Sequence, residues 1–384
     1  MTPAEKLLQK SLVTSGLDSR QWNQVQAGLR DRAFFSSRVQ SATILRAARG
    51  MSAQAADGKL SASEFRRDMR AVLQGEGYQP QPGEEGGLKD LFSKKRLDVI
   101  LETNVRQAQG YVRHLEASTP GAMAAFPADE LVRARHTKTQ RDWSSRWEDA
   151  GGALYNGRMI AMKNDPVWSR ISRWGTPWAP FDFGSGMDVQ GVDRLEAIAL
   201  GVADEDDPPP EPPAVPGFNS NLEADVPFGG RLDPEWLWLK ESFGDQILYR
   251  DGKVRWQTDL IRDLFDGKTA AAVSLGKATA ALRAKAPAPL RPALENTSLS
   301  ITKDLATHSA KHFATDADPR NMPVRPEDID LLSTAWRAPD RALPSNRDER
   351  MLLELDTFDS ATLVMVVDLS HGALANTVYK RKRP

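Results

Sequence analysis

The chain contains no cysteine. Disulfides, thiolate catalysis and cysteine-based zinc sites are therefore excluded, and the absence suits a protein made in a reducing cytoplasm. No apolar run is long enough to span a bilayer. The opening MTPAEKLLQKSLV lacks the basic-then-apolar layout of a signal peptide, so the expectation is a chain made and folded in the cytoplasm. There is no charge excess either: 51 Lys and Arg against 52 Asp and Glu give a formal net charge of −1. The whole chain is thus no electrostatic glue for nucleic acid, although local basic patches remain open. A phosphate-cradling loop of the GK[ST] type is missing as well. SLGKAT, at Ser274 to Thr279, lacks the upstream glycine and the hydroxyl directly after lysine, which argues against an ATP-driven motor.

What is present fits a globular protein of two or three domains: 384 residues, 40% hydrophobic and 27% charged. The clearest boundary is DEDDPPPEPPAVP, Asp204 to Pro216. Its prolines favour extended backbone and its acids repel one another, so it reads as a tether, with an acidic surface loop as the alternative. The expected organisation is a module at 1–202, an acidic Pro-rich linker at 203–217, a connecting or docking segment at 218–290, and an α+β domain at 291–384.

The first module reads as mainly helical. Asp18 with Gln21, and Ser61 with Glu64, have capping-box spacing. The strongest predicted helix spans Lys89 to Ala117, with Leu97, Leu101, Val105, Ala108, Val112 and Leu115 on one stripe that wants a helical partner. GYQPQPGEEGG, Gly77 to Gly87, is a loop. From Asp142 to Asp193 five tryptophans crowd among Gly and Pro; this reads as a compact, loop-rich unit anchored by large rings, with a stacking platform for single-stranded nucleic acid as the lesser alternative. Beyond the linker, RDGK at Arg250 to Lys253 reads as a turn between two short strands, and Thr269 to Ala288 as an Ala-rich helix. The last hundred residues predict a helix over Ile301–Phe313 and a second one opened by Pro326 and running towards Trp336. Strands at Met351–Asp356, Ala361–Asp368 and Ala375–Arg381 follow. The fold class is therefore multidomain: a mainly α module with a Trp/Gly-rich compact end, then a small α+β domain with an antiparallel sheet.

Two stretches resemble known families. RDW at Arg141, followed by KNDPVWSRISRWGTPWAPFDFGSGMDVQGVDRLEAIALGV, is similar to the closing signature of phage head-morphogenesis proteins of the Mu F-like type. RDRAFFSSRV and LETNVRQAQGYVRHLE resemble the same family's helical core. The resemblance covers about the first 200 residues; where many relatives carry an Asn-Cys-Arg-Cys motif this chain reads FDFGSGMDV, so any role of those cysteines is absent. It implies a minor virion component at or near the portal, associated with head assembly and with DNA packaging or delivery. Its partners would be the portal and other phage head proteins, and its place the host cytoplasm during assembly, then the virion head. The segment from about Ser300 to Lys382 resembles phage-borne nuclease-like domains of the barnase–EndoU–colicin–RelE group. That resemblance implies RNA cleavage without metal or other cofactor, and RNA as a partner of this domain.

The chemistry such cleavage needs is a base for the 2′-hydroxyl, an acid for the leaving oxygen and a cation for the phosphorane. Of five histidines, three lie near the C-terminus: His308, His312 and His371. His308 and His312 stand four apart, on one face of a helix with Lys311 beside them. The expected composite site joins His308, Lys311 and His312 to Thr377 and Tyr379 on the last strand, with Lys380 to Arg383 supplying charge. Against it stand solvated histidine pairs and basic tails that only aid solubility. A zinc reading of the histidine pair lacks its general base, because position 309 is Ser. The alternatives to an active minor head protein are a purely structural adaptor with an inactive nuclease-like domain, and an RNase effector delivered with the particle.

Overall fold

The computed structural model describes residues 2–137, 140–211, 233–250, 253–309, 320–357, 361–370 and 372–383. The protein is a mixed α+β chain in two compact units. The first comprises Met1–Lys10, Ser19–Arg32 and Arg46–Leu222; the second comprises Ser11–Asp18, Ala33–Leu45 and Glu223–Pro384. The chain thus passes from one unit to the other four times within its first 46 residues, before the single return after Leu222. The Pro-rich segment is therefore not the only covalent link. Its start is anchored, because Arg194 donates to the carbonyls of Glu205 and Asp207, while residues 212–232 lie outside the described part. No helix among the described residues is long and apolar enough to cross a membrane.

The first unit is organised around the helix Lys94–Ala117, which the Ser93 hydroxyl caps by accepting from the Arg96 N–H. The helix Ala62–Gly75 packs on it and starts in the expected capping box of Ser61 and Glu64. The predicted stripe of the long helix holds in part. Leu97, Leu101 and Ala108 are buried, but Val105 and Val112 are half-buried and Leu115 is 38% exposed. Further along, the buried positions are Gln107, Gly110 and Tyr111. This end of the helix meets the short helix Pro3–Leu8, through Ala108 and the Lys6–Tyr111 hydrogen bond at 3.1 Å, and also a loop. Trp178 donates its indole N–H to the Gln107 side-chain oxygen at 3.0 Å. Gln107 donates back to the Pro180 carbonyl at 3.1 Å, and the Tyr111 ring meets Trp178 edge-on at 5.1 Å.

The Trp-rich stretch is packed, and it contains more regular structure than its composition suggests. An antiparallel sheet runs in the order Leu154–Tyr155, Arg158–Met162, Ala128–Arg133, Met187–Val192. Two short helices, Trp143–Asp149 and Val167–Ile171, lay Trp147 and Trp168 edge-on at 5.0 Å in a core closed by Phe181. Both buried indoles are satisfied by main-chain carbonyls, Trp147 by Ala153 and Trp168 by Met162.

The second unit is built on a seven-stranded sheet. Its order is Arg341–Pro344, Arg350–Asp356, Ala361–Asp368, Ala373–Lys382, Ser298–Ile301, Val273–Lys277, with Asn321–Met322 also on the Ala373–Lys382 strand. The three predicted C-terminal strands form the antiparallel meander. The sheet is not wholly antiparallel, however, since Ser298–Ile301 runs parallel to Ala373–Lys382. It also reaches back before residue 290, taking Val273–Lys277 from the stretch expected to be an Ala-rich helix. That stretch gives instead a strand and a helix, Ala280–Lys285. Val273 and Leu275 alternate inward, and Gly276 sits at φ +81°, outside helical space. The helix predicted from Pro326 is two, Pro326–Ile329 and Leu332–Arg337. The expected hairpin is present as Ile247–Arg250 paired with Lys253–Trp256. From the chain's beginning, Ser11–Leu12 pairs with Ala33–Phe34. Thr14 is held to Gln246 by three hydrogen bonds of 2.9 Å each.

Candidate functional site

The predicted composite site is only partly visible. His308 stands in the last turn of the helix Lys303–Ser309; Lys311, His312 and His371 lie outside the described residues. This helix buries Leu305, Ala306 and Ser309 and leaves His308 exposed. It does pack on the strand carrying Thr377 and Tyr379. The Ser309 hydroxyl accepts from the Val378 N–H at 3.1 Å, filling the gap on that strand edge between Ser298–Ile301 and Asn321–Met322.

The basic tail is not an open cation cluster. Lys380 is 2% exposed, and its ammonium donates to both Asp328 oxygens at 3.0 and 2.9 Å. Arg383 donates to the carbonyls of Ala361 and Thr357. Both are structural contacts, so the charge expected from Lys380 and Arg383 is already engaged.

Thr377 and Tyr379 share the opposite sheet face from Val378 and Lys380, because side chains alternate along a strand. Register places Tyr379, Val364, Glu354 and Arg341 in one cross-strand row. Glu354 is fully buried and held between Arg341, at 2.8 Å, and Arg381. Arg341 also reaches Asp356 at 2.9 Å, and the Thr362 hydroxyl donates to that carboxylate at 2.9 Å. Burial pushes the Asp356 carboxyl up, but the hydrogen bonds from Thr362 and Arg341 outweigh it and hold the group below the usual range. Burial raises the Tyr379 phenol above its ordinary value. The Thr377 hydroxyl oxygen is buried without a hydrogen-bond partner among the described residues. This face therefore brings a carboxylate, two guanidiniums, a phenol and an unengaged hydroxyl together. Sequence reasoning found the last two, counted Arg381 only within the Lys380–Arg383 charge, and missed Glu354 and Arg341, because only strand register assembles them.

A second concentration of perturbed groups lies in the first unit. A cavity of about 370 Å³ is bordered by His114, Asp129, Lys163, Trp178 and Phe126. Burial lowers His114 to about 4, with Lys163 adding to the effect, and its Nε2 is buried without a hydrogen-bond partner among the described residues. Burial raises Asp129 to about 6 against the opposing pull of Lys163, 3.8 Å away. Lys163 is 6% exposed and donates to the Ala117 carbonyl at 3.3 Å. Sequence reasoning weighed the C-terminal histidines and passed over His114, whose partners come from strands that only the fold brings together.

Comparison with known proteins returns no match to a family profile, a curated protein or a solved structure.

Proposed function

We propose that this chain is a minor head component of a bacteriophage, acting near the portal in head assembly and in DNA packaging or delivery. In this reading a mainly α module with a Trp/Gly-rich end is joined to a nuclease-like α+β unit. The observation that carries the reading is the state of the Trp/Gly-rich segment, on which the family resemblance rests. It is a packed cap on the long helix, fixed through Trp178, Gln107 and Pro180, and not a loose connector. Mass spectrometry of purified proheads and virions tests it. The protein is expected in few copies per particle; its absence from both sinks the assignment.

A second reading, RNA cleavage by the C-terminal unit, is favoured by the Glu354–Arg341–Arg381 face beside Thr377 and Tyr379. Guanidiniums stabilise the charge of a phosphorane without metal, buried Glu354 holds Arg341 and Arg381 in place, and the half-buried Tyr379 is the group on this face placed to pass a proton. Full-length protein incubated with RNA in the presence of a chelator is expected to cut it. Tyr379→Phe and Arg381→Ala are each expected to slow the cut at least about tenfold, within the usual range for acid–base and electrostatic groups. Uncut RNA, or unchanged rates in both variants, leaves the unit a structural adaptor.

A further inference from the structure

We propose that the groove along the C-terminal half of the helix Lys94–Ala117 binds a nucleotide, with its base in the chamber beside Phe126 and Trp178 and its phosphate over Arg106, Arg113 and Arg135. The inference does not depend on the phage assignment.

Two cavities adjoin here. The outer one, about 570 Å³, is bordered by the three arginines and a single acid, Asp188; the inner one is the chamber of His114, Asp129 and Lys163. They share Arg113, Ala179 and Asp188, so the Arg113–Asp188 ion pair, at 3.1 Å, is the sill between them. Their sizes fall within the usual range for small-ligand sites.

The two halves select for different chemistry. The guanidiniums outnumber the carboxylates three to two, since Arg106 faces Glu102 at 3.9 Å and Arg113 faces Asp188; the balance favours an anion, and planar guanidinium forks match phosphate oxygens. The inner chamber suits a simple aliphatic chain poorly, because His114 lines it and it holds a lysine ammonium with one hydrogen bond. It also presents a carboxylate whose nearest cation stands at 3.8 Å. These groups want a ligand edge carrying both donors and acceptors. Beyond the Arg113–Asp188 pair, the rest of the lining is apolar and includes the rings of Phe126 and Trp178. Phe126 is 45% exposed and lies beside Gly191, where a Cβ would sit in ordinary contact with the ring at 3.4 Å. A planar ring with a polar edge, joined to a phosphate, satisfies both halves at once; inorganic phosphate uses only the outer one. Aromatic stacking is how proteins hold bases without strong sequence preference.

The test is calorimetric titration of the full chain with four nucleoside 5′-monophosphates, their nucleosides, inorganic phosphate, and a ten-residue oligothymidylate. At least one monophosphate or the oligonucleotide is expected to bind. Phe126→Ala and Arg135→Ala, both at exposed positions, are each expected to weaken that binding at least about tenfold, the scale of one lost stacking or phosphate contact. Nucleosides are expected to bind at least as much more weakly. Binding of the monophosphate alone identifies a free nucleotide as ligand, and binding of the oligonucleotide alone a strand. No binding of either overturns the proposal. So does inorganic phosphate binding as tightly as the nucleotide, or binding that neither substitution changes.

Discussion

The long helix and the Trp178 loop approach so closely at Gly110 that a Cβ there would lie 1.9 Å from the carbonyl oxygen of Ala179. The obstacle is main chain, which does not rotate away. Alanine is the better helix former by about 1 kcal/mol, so the substitution separates packing from propensity. Gly110→Ala is expected to destabilise the first unit by roughly 1–3 kcal/mol through overpacking. Gly75→Ala, at a helix end with nothing within 4 Å of the added carbon, is expected to be neutral or slightly stabilising. Denaturant melts of the two variants check this; equal melts mean the loop yields and the cap is not rigid.

The buried Lys380–Asp328 pair stitches the last strand to the helix Pro326–Ile329. Lys380→Met removes one charge and strands the other, which costs about 3–5 kcal/mol. The double variant Lys380→Met/Asp328→Leu leaves no orphaned ion and is expected to recover much of that loss. A double variant no more stable than the single one means the pair contributes by geometry that apolar packing does not replace.

Protonation in the first-unit chamber has two opposing signs. His114 falls to about 4 on folding, so between roughly pH 6.5 and 4 the unfolded chain binds a proton that the folded one refuses, and stability drops as pH falls. Asp129 rises to about 6, so between roughly pH 4 and 6 the folded chain holds a proton that the unfolded one releases, and stability drops as pH rises. His114→Gln is therefore expected to gain on the native protein towards pH 4, and Asp129→Asn to gain towards pH 6. Thermal melts across pH 4–7 read both; parallel curves for all three proteins would place these groups in water.

The second unit depends on residues from the far end of the chain. Leu12, Val13, Phe34, Val39 and Leu45 are buried in segments assigned to it, and Thr14 shares three hydrogen bonds with Gln246. A fragment of residues 223–384 is expected to melt well below the full chain and to be restabilised by a synthetic peptide of residues 11–45. A fragment that melts independently of the peptide shows these segments to be dispensable.

What was legible in the sequence was local. The Ser61 capping box, the Arg250–Lys253 hairpin and the three C-terminal strands announce themselves through a few adjacent residues and an alternating or β-branched run. Val273–Lys277 did not, because alanines around it mimic helix propensity while the sheet supplies pairing that propensity ignores. Val105, Val112 and Leu115 satisfied the helical period, yet the buried side of the helix is set by what packs on it: the helix Ala62–Gly75 at one end, and the helix Pro3–Leu8 together with the Trp178 loop at the other. The groups that concentrate chemistry were least legible of all. Glu354 with Arg381, and His114 with Asp129 and Lys163, meet only through strand register and long-range packing. His308 was conspicuous by spacing and proves to be exposed.

The interleaving of the two units also has a consequence in time. A chain emerging from the ribosome presents residues 11–18 and 33–45 within the first moments of synthesis, yet the sheet they accompany is completed only by the strand ending at Lys382. More than three hundred residues separate those early segments from the strand that completes the sheet. The first unit has all its segments in hand by Leu222, whereas the second stays unfinished until that last strand is made.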